Sequence, residues 1–233
     1  MNKLSVLIPV FNEAKTIAEL VRRVTSARIP IDKEILIGDD GSTDGTRDIL
    51  RGMSAPNLKI EMLDKNIGRG GTLKHLLRQV TGDIVVHQDA DLEYDPNDYA
   101  SLLEPILAGE ADVVYGSRFK GNIEKMRLLN NIGNRMMSGL ARALYGVKIT
   151  DLMTCYKMYR ANLVRDLSIV SNGFEFEAEF TATLANRGAR FAEVPIGFVG
   201  RSFEEGKKIR SRDALRVIQK LISGKLSDRR PRG

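Results

Sequence analysis

The stretch 4-LSVLIPV-10 decides the fold class, because its apolar residues run on without the alternation that a strand with one solvated face would show. Four more runs of this kind follow along the chain, separated by segments with helical spacing such as Ile17, Leu20 and Val24. Strands that are apolar on both faces are typical of parallel sheets covered by helices. The sequence therefore predicts an α/β fold with a mostly parallel, twisted sheet and right-handed crossovers. The other predicted strands are 34-EILIG-38, 59-KIEML-63, 84-IVVHQ-88 and 112-DVVYG-116, with further helices over roughly 71–80, 97–108 and 128–144.

Length and composition indicate one generous domain. The chain has 233 residues, of which 42% are hydrophobic, and it contains neither an internal repeat nor a low-complexity linker. We predict a catalytic domain over residues 1–210 and a basic amphipathic helix with a tail over residues 211–233. The single cysteine, Cys155, excludes an internal disulfide, and no cysteine and histidine cluster is present to hold zinc.

The net charge of +6 indicates an anionic partner. Nucleotide, phosphate, lipid headgroup and nucleic acid all satisfy that description, and charge alone does not choose among them. The N-terminal apolar run is too short for a signal peptide, and no stretch has the 18 apolar residues of a membrane span. We therefore expect a cytoplasmic protein, either soluble or peripheral.

Polar loops follow all five predicted strands. In open α/β sheets the ligand binds beyond the carboxyl ends of the strands, so these loops predict a site at one edge of the sheet. Taken singly, Asp-Gly turns and a Gly-rich helix start explain several of them, and 66-NIGRGG-71 matches neither the P-loop nor the Rossmann fingerprint. The loops are 9-PVFNEA-14, 39-DDGSTDGT-46, 64-DKNIGRGG-71, 89-DADLEYD-95 and 116-GSRF-119.

The acidic loop after the fourth strand is the most informative of the five. Asp89 and Asp91 stand two residues apart where the chain leaves a buried strand, so both carboxylates can face one cation. Mg²⁺ and Mn²⁺ prefer such hard oxygen ligands and complete their shell with phosphate. Without a cation, mutual repulsion would raise the pKa of the clustered acids. A solvated turn with a helix cap is the alternative for Asp95, and in part for Glu93.

These segments resemble the family-two glycosyltransferases of GT-A fold. The resemblance starts with 8-IPVFNE-13, 36-LIGDDGSTDGT-46, 88-QDADLEYDP-96 and 114-VYGSRF-119. Three later segments, 148-KITDLMTCYKMYR-160, 173-GFEFEAEFTATLANRG-188 and 193-EVPIGFVGRSFEEGKK-208, are similar to the branch of dolichol-phosphate mannose synthases and polyprenyl-phosphate glycosyltransferases. The likeness runs in order from about residue 4 to residue 213.

The resemblance implies a nucleotide-sugar donor site with Mg²⁺ or Mn²⁺ as cofactor. Its metal ligands would be Asp89, Asp91 and Glu93, and the cation would stabilise the leaving diphosphate. Two departures from the family pattern are Gly38, where an apolar β-branched residue is usual, and a phenylalanine in place of a frequent tyrosine at position 11. The implied donor-binding residues are Pro9, Phe11, Glu13, Ile37, Asp39, Asp89, Ala90, Asp91, Arg118, Arg201 and Lys207.

The resemblance also implies an acceptor phosphate gripped by Arg118 and Arg127, which with Asp89 and Asp91 form the implied catalytic set. A phosphate oxygen is already anionic and needs no general base, so direct displacement with inversion is expected. The implied reaction moves a hexose from a GDP-mannose or UDP-glucose type donor to a polyprenyl or dolichyl phosphate. A soluble phosphorylated or glycan acceptor is the alternative. A nucleotidyltransferase would need a Gly-rich N-terminal loop with Arg and Lys that the chain lacks, and a non-catalytic subunit would not need the intact acids and arginines.

The remaining features have simpler interpretations. We expect His87 and His75 to be structural, Cys155 to be a buried filler, and Glu175 and Glu179 to be structural or solvated. The C-terminal helix over 211–233 combines an apolar stripe with basic residues, which favours an anionic membrane surface over packing on the core only slightly. We therefore expect peripheral association with the cytoplasmic face of a membrane, and no nucleic-acid partner.

Overall fold

The computed structural model describes residues 2–125, 128–201 and 211–228. The strands of the main sheet are β1 (Lys3–Val10), β2 (Asp32–Asp39), β3 (Leu58–Met62), β4 (Ile84–His87), β5 (Val113–Ser117), β7 (Lys157–Arg160) and β8 (Phe191–Pro195), and a small second sheet contains β6 (Ile123–Glu124) and β9 (Phe198–Val199). The helices are α1 (Ile17–Ser26), α2 (Thr46–Arg51), α3 (Arg69–Leu77), α4 (Tyr99–Leu107), α5 (Leu128–Tyr145), α6 (Phe176–Asn186) and α7 (Ser211–Asp228).

The main sheet has the strand order β3-β2-β1-β4-β7-β5-β8. The prediction of a mostly parallel sheet is confirmed, since β7 alone among these strands runs antiparallel to its neighbours, β4 and β5. Strand β7 was not anticipated from the sequence. Because it runs the other way, its first residue lies at the edge where the parallel strands end. The segment that precedes β7 therefore joins the predicted site.

Both faces of the sheet are buried, as the uninterrupted apolar strands require. Alternate residues of β1 point to opposite sides: Leu4, Val6 and Ile8 join one core cluster, and Leu7 joins the other. Helices α1, α2 and α4 cover the first face. Helices α3, α5, α6 and α7 cover the second face.

Gly38 is explained by the close approach of α3 to β2. A Cβ atom at Gly38 would lie 2.6 Å from Cγ2 of Thr72 and 3.3 Å from the methyl carbons of Leu76. The absent side chain lets the helix pack directly on the strand. The departure from the family pattern at this position is thus compensated by the neighbouring helix.

One side of helix α7 packs on the core, and another side exposes apolar residues to solvent. Val217 and Leu221 are buried in the second cluster, and the hydroxyl of Tyr145 on α5 donates to the carbonyl of Leu221. By contrast, Leu215 is 65% exposed and Leu226 is 59% exposed. The helix thus packs on the core and still presents an apolar stripe. Within the part of the chain that the structure describes, no helix combines the length and hydropathy needed to cross a bilayer.

Candidate active site

Hydrogen bonds join the loop after β1 to the loop after β2, at the edge of the sheet where the parallel strands end. The N–H of Asn12 donates to Oγ of Ser42 at 2.9 Å, and Oδ1 of Asn12 accepts the N–H of Thr43 at 2.8 Å. The N–H of Glu13 donates to Oγ1 of Thr46 at 2.9 Å. Asn12 adopts a left-handed φ of 55°, which asparagine tolerates better than most residues. The loop after β1 is therefore shaped by the loop after β2.

The acidic loop after β4 brings Asp91 into a buried and negative setting. Burial raises the pKa of Asp91 to about 7, and the nearby carboxylates of Asp89 and Glu93 add to the shift. This agrees with the repulsion expected of clustered acids in the absence of a cation. Leu92, between Asp91 and Glu93, adopts a left-handed φ of 61°, and Oδ1 of Asp91 accepts the N–H of Glu93 at 3.2 Å. Such backbone strain is common at functional sites and was not visible in the sequence.

Arg201 lies among these acids. Its Nη1 donates to Oε2 of Glu13 at 2.9 Å, and its Nη2 donates to Oδ2 of Asp91 at 3.0 Å. Its backbone N–H donates to Oε1 of Glu93 at 2.8 Å. The residue expected to contact the donor diphosphate therefore stands at the acidic loop, where its guanidinium partly neutralises the carboxylates.

The acids fit a divalent cation as a two-carboxylate site. The described residues contain no group of three or more carboxylate, histidine or cysteine side chains gathered as a metal site. One oxygen of Glu93 accepts the N–H of Arg201, and its role as a third metal ligand stays a prediction. Burial and the neighbouring carboxylates raise the pKa of Asp91, and a cation held by two carboxylates and a diphosphate would favour its ionised form.

Arg69 is a site residue that sequence reasoning missed. Its Nε donates to Oδ1 of Asp89 at 2.8 Å, its Nη1 contacts Oε1 of Glu177, and its Nη2 lies 3.4 Å from Sγ of Cys155. The sequence predicts a helix start at the Gly-rich segment. The helix start is correct, because α3 begins at Arg69, but Asp40 accepts the two N–H groups that precede the helix and so holds the loop. An arginine in a loop at the same sheet edge as two acids was the available signal.

Glu177 is the anchor of this network. It lies on α6, is 2% exposed, and pairs with both Arg69 and Lys157. Lys157 is fully buried, and burial lowers its pKa. Its ammonium also donates to the carbonyls of Leu152 at 2.9 Å and Thr154 at 2.6 Å. Glu177 was not singled out from its neighbours Glu175 and Glu179, because the sequence does not reveal which acid faces the interior.

Arg118 follows β5 as predicted, but it is only 7% exposed. Its Nε and Nη2 form a two-point pair with Asp151, each at 2.7 Å, and its guanidinium carbon lies 5.1 Å from the ring centroid of Phe198. Asp151 is fully buried in the segment before β7. The geometry holds the guanidinium rigidly at the site edge. Arg127 and Lys207, the other two predicted phosphate-binding cations, lie outside the described residues.

The predicted base pocket is divided between core and site. Asp39 is fully buried, and its Oδ2 accepts the N–H of Ser42 at 3.2 Å and lies 3.3 Å from Nε of Arg47. Its Oδ1 has no hydrogen-bond partner in the described part of the chain. The side chain of Ile37 is fully buried in the first core cluster, and its place in the base pocket stays a prediction.

The other predicted site residues lie at the strand exits. Pro9 and Ala90 are buried, and Phe11, in the loop after β1, is partly exposed. His87 is buried at the end of β4, where its Nε2 is 2.8 Å from the hydroxyl of Tyr159, in agreement with the structural role expected. Cys155 is buried as expected, although its sulfur contacts Arg69.

The fold is that of nucleotide-sugar transferases of the GT-A class. The chain superposes on glucosyl-3-phosphoglycerate synthase from Mycobacterium tuberculosis, crystallised with Mn²⁺, uridine diphosphate and phosphoglyceric acid, with a TM-score of 0.72. The match covers 97% of this chain and 78% of that one at 21% sequence identity. At this identity the likeness establishes the shared fold, and the GT-A prediction is confirmed.

The sequence places the chain within that class. Residues 5–168 match the model for glycosyl transferase family 2, so the chain belongs to this family. It is 31% identical over 214 residues to the undecaprenyl-phosphate mannosyltransferase of Micrococcus luteus, covering 86% of this chain and 85% of that protein. It is 28% identical over 226 residues to the dodecaprenyl-phosphate galacturonate synthase of Rhizobium johnstonii, covering 95% of this chain and 66% of that protein. The predicted similarity to polyprenyl-phosphate glycosyltransferases is thereby confirmed.

Proposed function

We propose that this chain is an inverting hexosyltransferase that moves a sugar from a nucleoside diphosphate to a polyprenyl phosphate with the help of Mg²⁺ or Mn²⁺. The observation that carries the proposal is the acidic loop at the exit of β4, where Arg69 contacts Asp89 and Arg201 contacts Asp91. Burial and the nearby carboxylates of Asp89 and Glu93 raise the pKa of Asp91. The names of two relatives that cover most of the chain support a polyprenyl-phosphate acceptor.

The donor diphosphate would lie between the acidic loop and Arg201. A divalent cation held by Asp89 and Asp91 would stabilise the negative charge of the departing nucleotide. Arg201 would exchange carboxylate partners for phosphate oxygens, since its guanidinium already stands at the acidic loop through Glu13 and Asp91. Arg118, with Arg127 and Lys207 outside the described residues, would add positive charge at the acceptor and the diphosphate.

The base end of the donor is proposed to contact Asp39. Its buried Oδ1, without a partner in the described part of the chain, calls for a donor from the ligand. Uracil at N3 and guanine at N1 carry a ring N–H, whereas cytosine and adenine offer only exocyclic amino donors, at N4 and N6. We therefore expect uridine or guanosine diphosphate to bind better than cytidine or adenosine diphosphate, and Asp39→Asn to reduce that preference. Thermal stabilisation by each of the four diphosphates with Mn²⁺ present measures it directly.

The acceptor needs no general base. The two histidines do not serve as one, since His87 is buried and bonded to Tyr159, and His75 lies on α3 next to Glu61. A phosphate nucleophile is ionised at neutral pH and needs only orientation and charge neutralisation, which arginine supplies well. A phosphate acceptor therefore suits this site better than a sugar hydroxyl.

The reaction is tested with UDP-glucose and GDP-mannose, a polyprenyl phosphate in detergent, and Mn²⁺. We expect formation of a lipid-linked sugar of inverted anomeric configuration, loss of turnover in EDTA, and a reduction of at least about 100-fold in Asp91→Ala. Asp32→Asn, which changes an exposed acid at the start of β2, is the matched control and keeps normal activity. Turnover of a water-soluble phosphorylated acceptor but not of the lipid would replace the acceptor assignment. Undiminished turnover in EDTA would remove the metal.

We further propose that α7 brings the protein to an anionic membrane surface. Its exposed apolar residues Leu215, Ile222 and Leu226 lie beside basic side chains, which suits the headgroup region. Changing Ile222 and Leu226 to glutamate should abolish sedimentation with vesicles containing anionic lipid. Val170→Glu alters an apolar residue that is 66% exposed outside α7 and serves as the control. Equal vesicle binding by all three proteins would refute the assignment.

A further inference from the structure

We propose that Arg69 is a positioning residue that orients Asp89 for the cation and is itself held in place by Glu177 and Lys157. The inference rests on the metal-dependent reaction proposed above and assigns to it residues from α3, α6 and β7. These residues lie beneath the acidic loop rather than in it.

All three nitrogens of the Arg69 guanidinium are engaged by protein. Nε donates to Oδ1 of Asp89 at 2.8 Å, Nη1 contacts Glu177, and Nη2 approaches the sulfur of Cys155 at 3.4 Å. The side chain is 15% exposed, that of Asp89 is 28% exposed, and that of Glu177 is 3% exposed. Three of the five N–H donors of the guanidinium therefore point at protein groups, and the side chain is largely buried. These contacts direct Arg69 at Asp89 and its supporting residues.

The charges form an alternating row from the site into the interior. Asp89 is followed by Arg69, then by Glu177, and finally by the fully buried Lys157. Each buried charge has an opposite neighbour, which buried ions require. Because Lys157 is also bonded to the carbonyls of the segment before β7, the far end of the row is fixed to the backbone.

The backbone at Arg69 packs closely on neighbouring segments, which the glycines on either side of it allow. A Cβ atom at Gly68 would lie 2.5 Å from the carbonyl oxygen of Asn172, and one at Gly70 would lie 2.7 Å from Cβ of Phe176. Gly68 also has a φ of +86°, which disfavours other residues. The start of α3 is thus pressed against α6 and the loop before it. Because the backbone is packed in this way, the Arg69 side chain reaches Asp89 from a fixed position.

This arrangement has a consequence for cation binding. Arg69 holds Oδ1 of Asp89 and so fixes the orientation of the carboxylate, leaving Oδ2 as the oxygen for the metal. Without that contact the carboxylate would be free to rotate away from Asp91, whose charge repels it. Partners that orient metal ligands commonly change metal affinity by about 10–100-fold when they are altered.

The test measures Mn²⁺ binding directly, by the electron paramagnetic resonance signal of free Mn²⁺ with uridine or guanosine diphosphate present. Arg69→Lys keeps the charge but replaces a guanidinium that contacts three side chains by a single ammonium. We expect its Mn²⁺ dissociation constant to rise by about 10-fold or more. Turnover should then need correspondingly more Mn²⁺, with kcat at saturating Mn²⁺ within about threefold of normal. Glu177→Gln should move the Mn²⁺ constant in the same direction by a smaller factor, and it provides the measurement if Arg69→Lys does not fold.

Arg190→Lys is the matched control. Arg190 pairs with Asp112 through Nε and Nη2, at 2.9 and 2.8 Å from the carboxylate oxygens. The two residues directly precede β8 and β5, so they lie at the edge of the sheet opposite the acidic loop. The control should leave the Mn²⁺ constant unchanged. A folded Arg69→Lys protein with normal Mn²⁺ affinity, even with a lowered melting temperature, would overturn the proposal and leave a purely structural ion pair. A normal protein that binds no Mn²⁺ with either diphosphate would instead remove the metal-dependent function, and the positioning role with it.

Discussion

Replacing Asp91 by asparagine is expected to stabilise the metal-free protein at pH 8 while it abolishes the proposed metal site. The side chain is 15% exposed and stands near two other carboxylates, so ionising it in the folded protein is costly. Asparagine has nearly the same shape and carries no charge. The substitution therefore removes the cost of a charge that the site holds for a cation.

The magnitude follows from the pKa. Burial and the neighbouring acids Asp89 and Glu93 raise the pKa of Asp91 from 3.8 to about 7. A difference of about three pH units corresponds to roughly 4 kcal/mol of unfolding free energy. The attraction of Arg201, whose Nη2 lies 3.0 Å from the carboxylate, is already included in that shift, because it lowers the pKa of Asp91. We expect a gain of up to about 4 kcal/mol at pH 8.

The direction of the pKa shift predicts how the stability of the protein changes with pH. Because the folded-state pKa is above the ordinary value, the native protein holds the Asp91 proton more tightly than the unfolded chain does. The contribution of this group to stability is fully present below pH 3.8 and is lost as the pH rises through about 7. The stability difference between Asp91→Asn and the normal protein should therefore grow in favour of the variant between pH 4 and pH 8.

The assay is urea unfolding in EDTA at several pH values from 4.5 to 8, followed by circular dichroism. Asp32→Asn, at an exposed position, controls for the general effect of removing an acid and should show no such trend. Adding Mn²⁺ and a nucleoside diphosphate should stabilise the normal protein and not Asp91→Asn. An Asp91→Asn protein that is less stable than normal at pH 8 in EDTA would refute the raised pKa of Asp91.

Three further predictions concern the framework of the site. Gly38→Val should lower the unfolding free energy by about 1–3 kcal/mol, because its Cβ would lie 2.6 Å from Thr72, and thermal melting measures the loss. Burial opposes ionisation of Glu34, but hydrogen bonds from neighbouring lysine and hydroxyl groups outweigh it and lower its pKa to about 2. Its stabilisation is present above pH 4.5 and is lost as the pH falls through about 2, so Glu34→Gln should destabilise by about 2 kcal/mol at pH 7 and much less at pH 2, as seen in urea unfolding at the two pH values. Leu221→Ala should cost about 2–5 kcal/mol because the side chain is fully buried, whereas Leu226→Ala, at 59% exposure, should change the urea midpoint little.

The strands and the acidic loop were accessible to sequence reasoning because their signals are local. A buried parallel strand is read from a short apolar run, and a loop after it is placed at the sheet edge by the topology of α/β folds. That logic located Asp89 and Asp91 at the exit of β4 and Arg118 at the exit of β5, as the structure has them. It missed β7, because a four-residue strand with a lysine and an arginine carries no clear period. Ile37, which it predicted for the base pocket, has its side chain in the first core cluster, and its contact with a ligand stays a prediction.

By itself, the sequence determined the sheet of parallel strands, the edge at which function resides, and the acids that meet there, since each depends on residues close together in the chain. Only the tertiary structure decided which cations face those acids. Arg69 and Glu177 are 108 positions apart, and Arg201 is 110 positions from Asp91. Such pairings depend on how α3, α6 and the later loops pack on the sheet. Once a pair is buried, removing one partner leaves an uncompensated charge in the interior, which destabilises the fold.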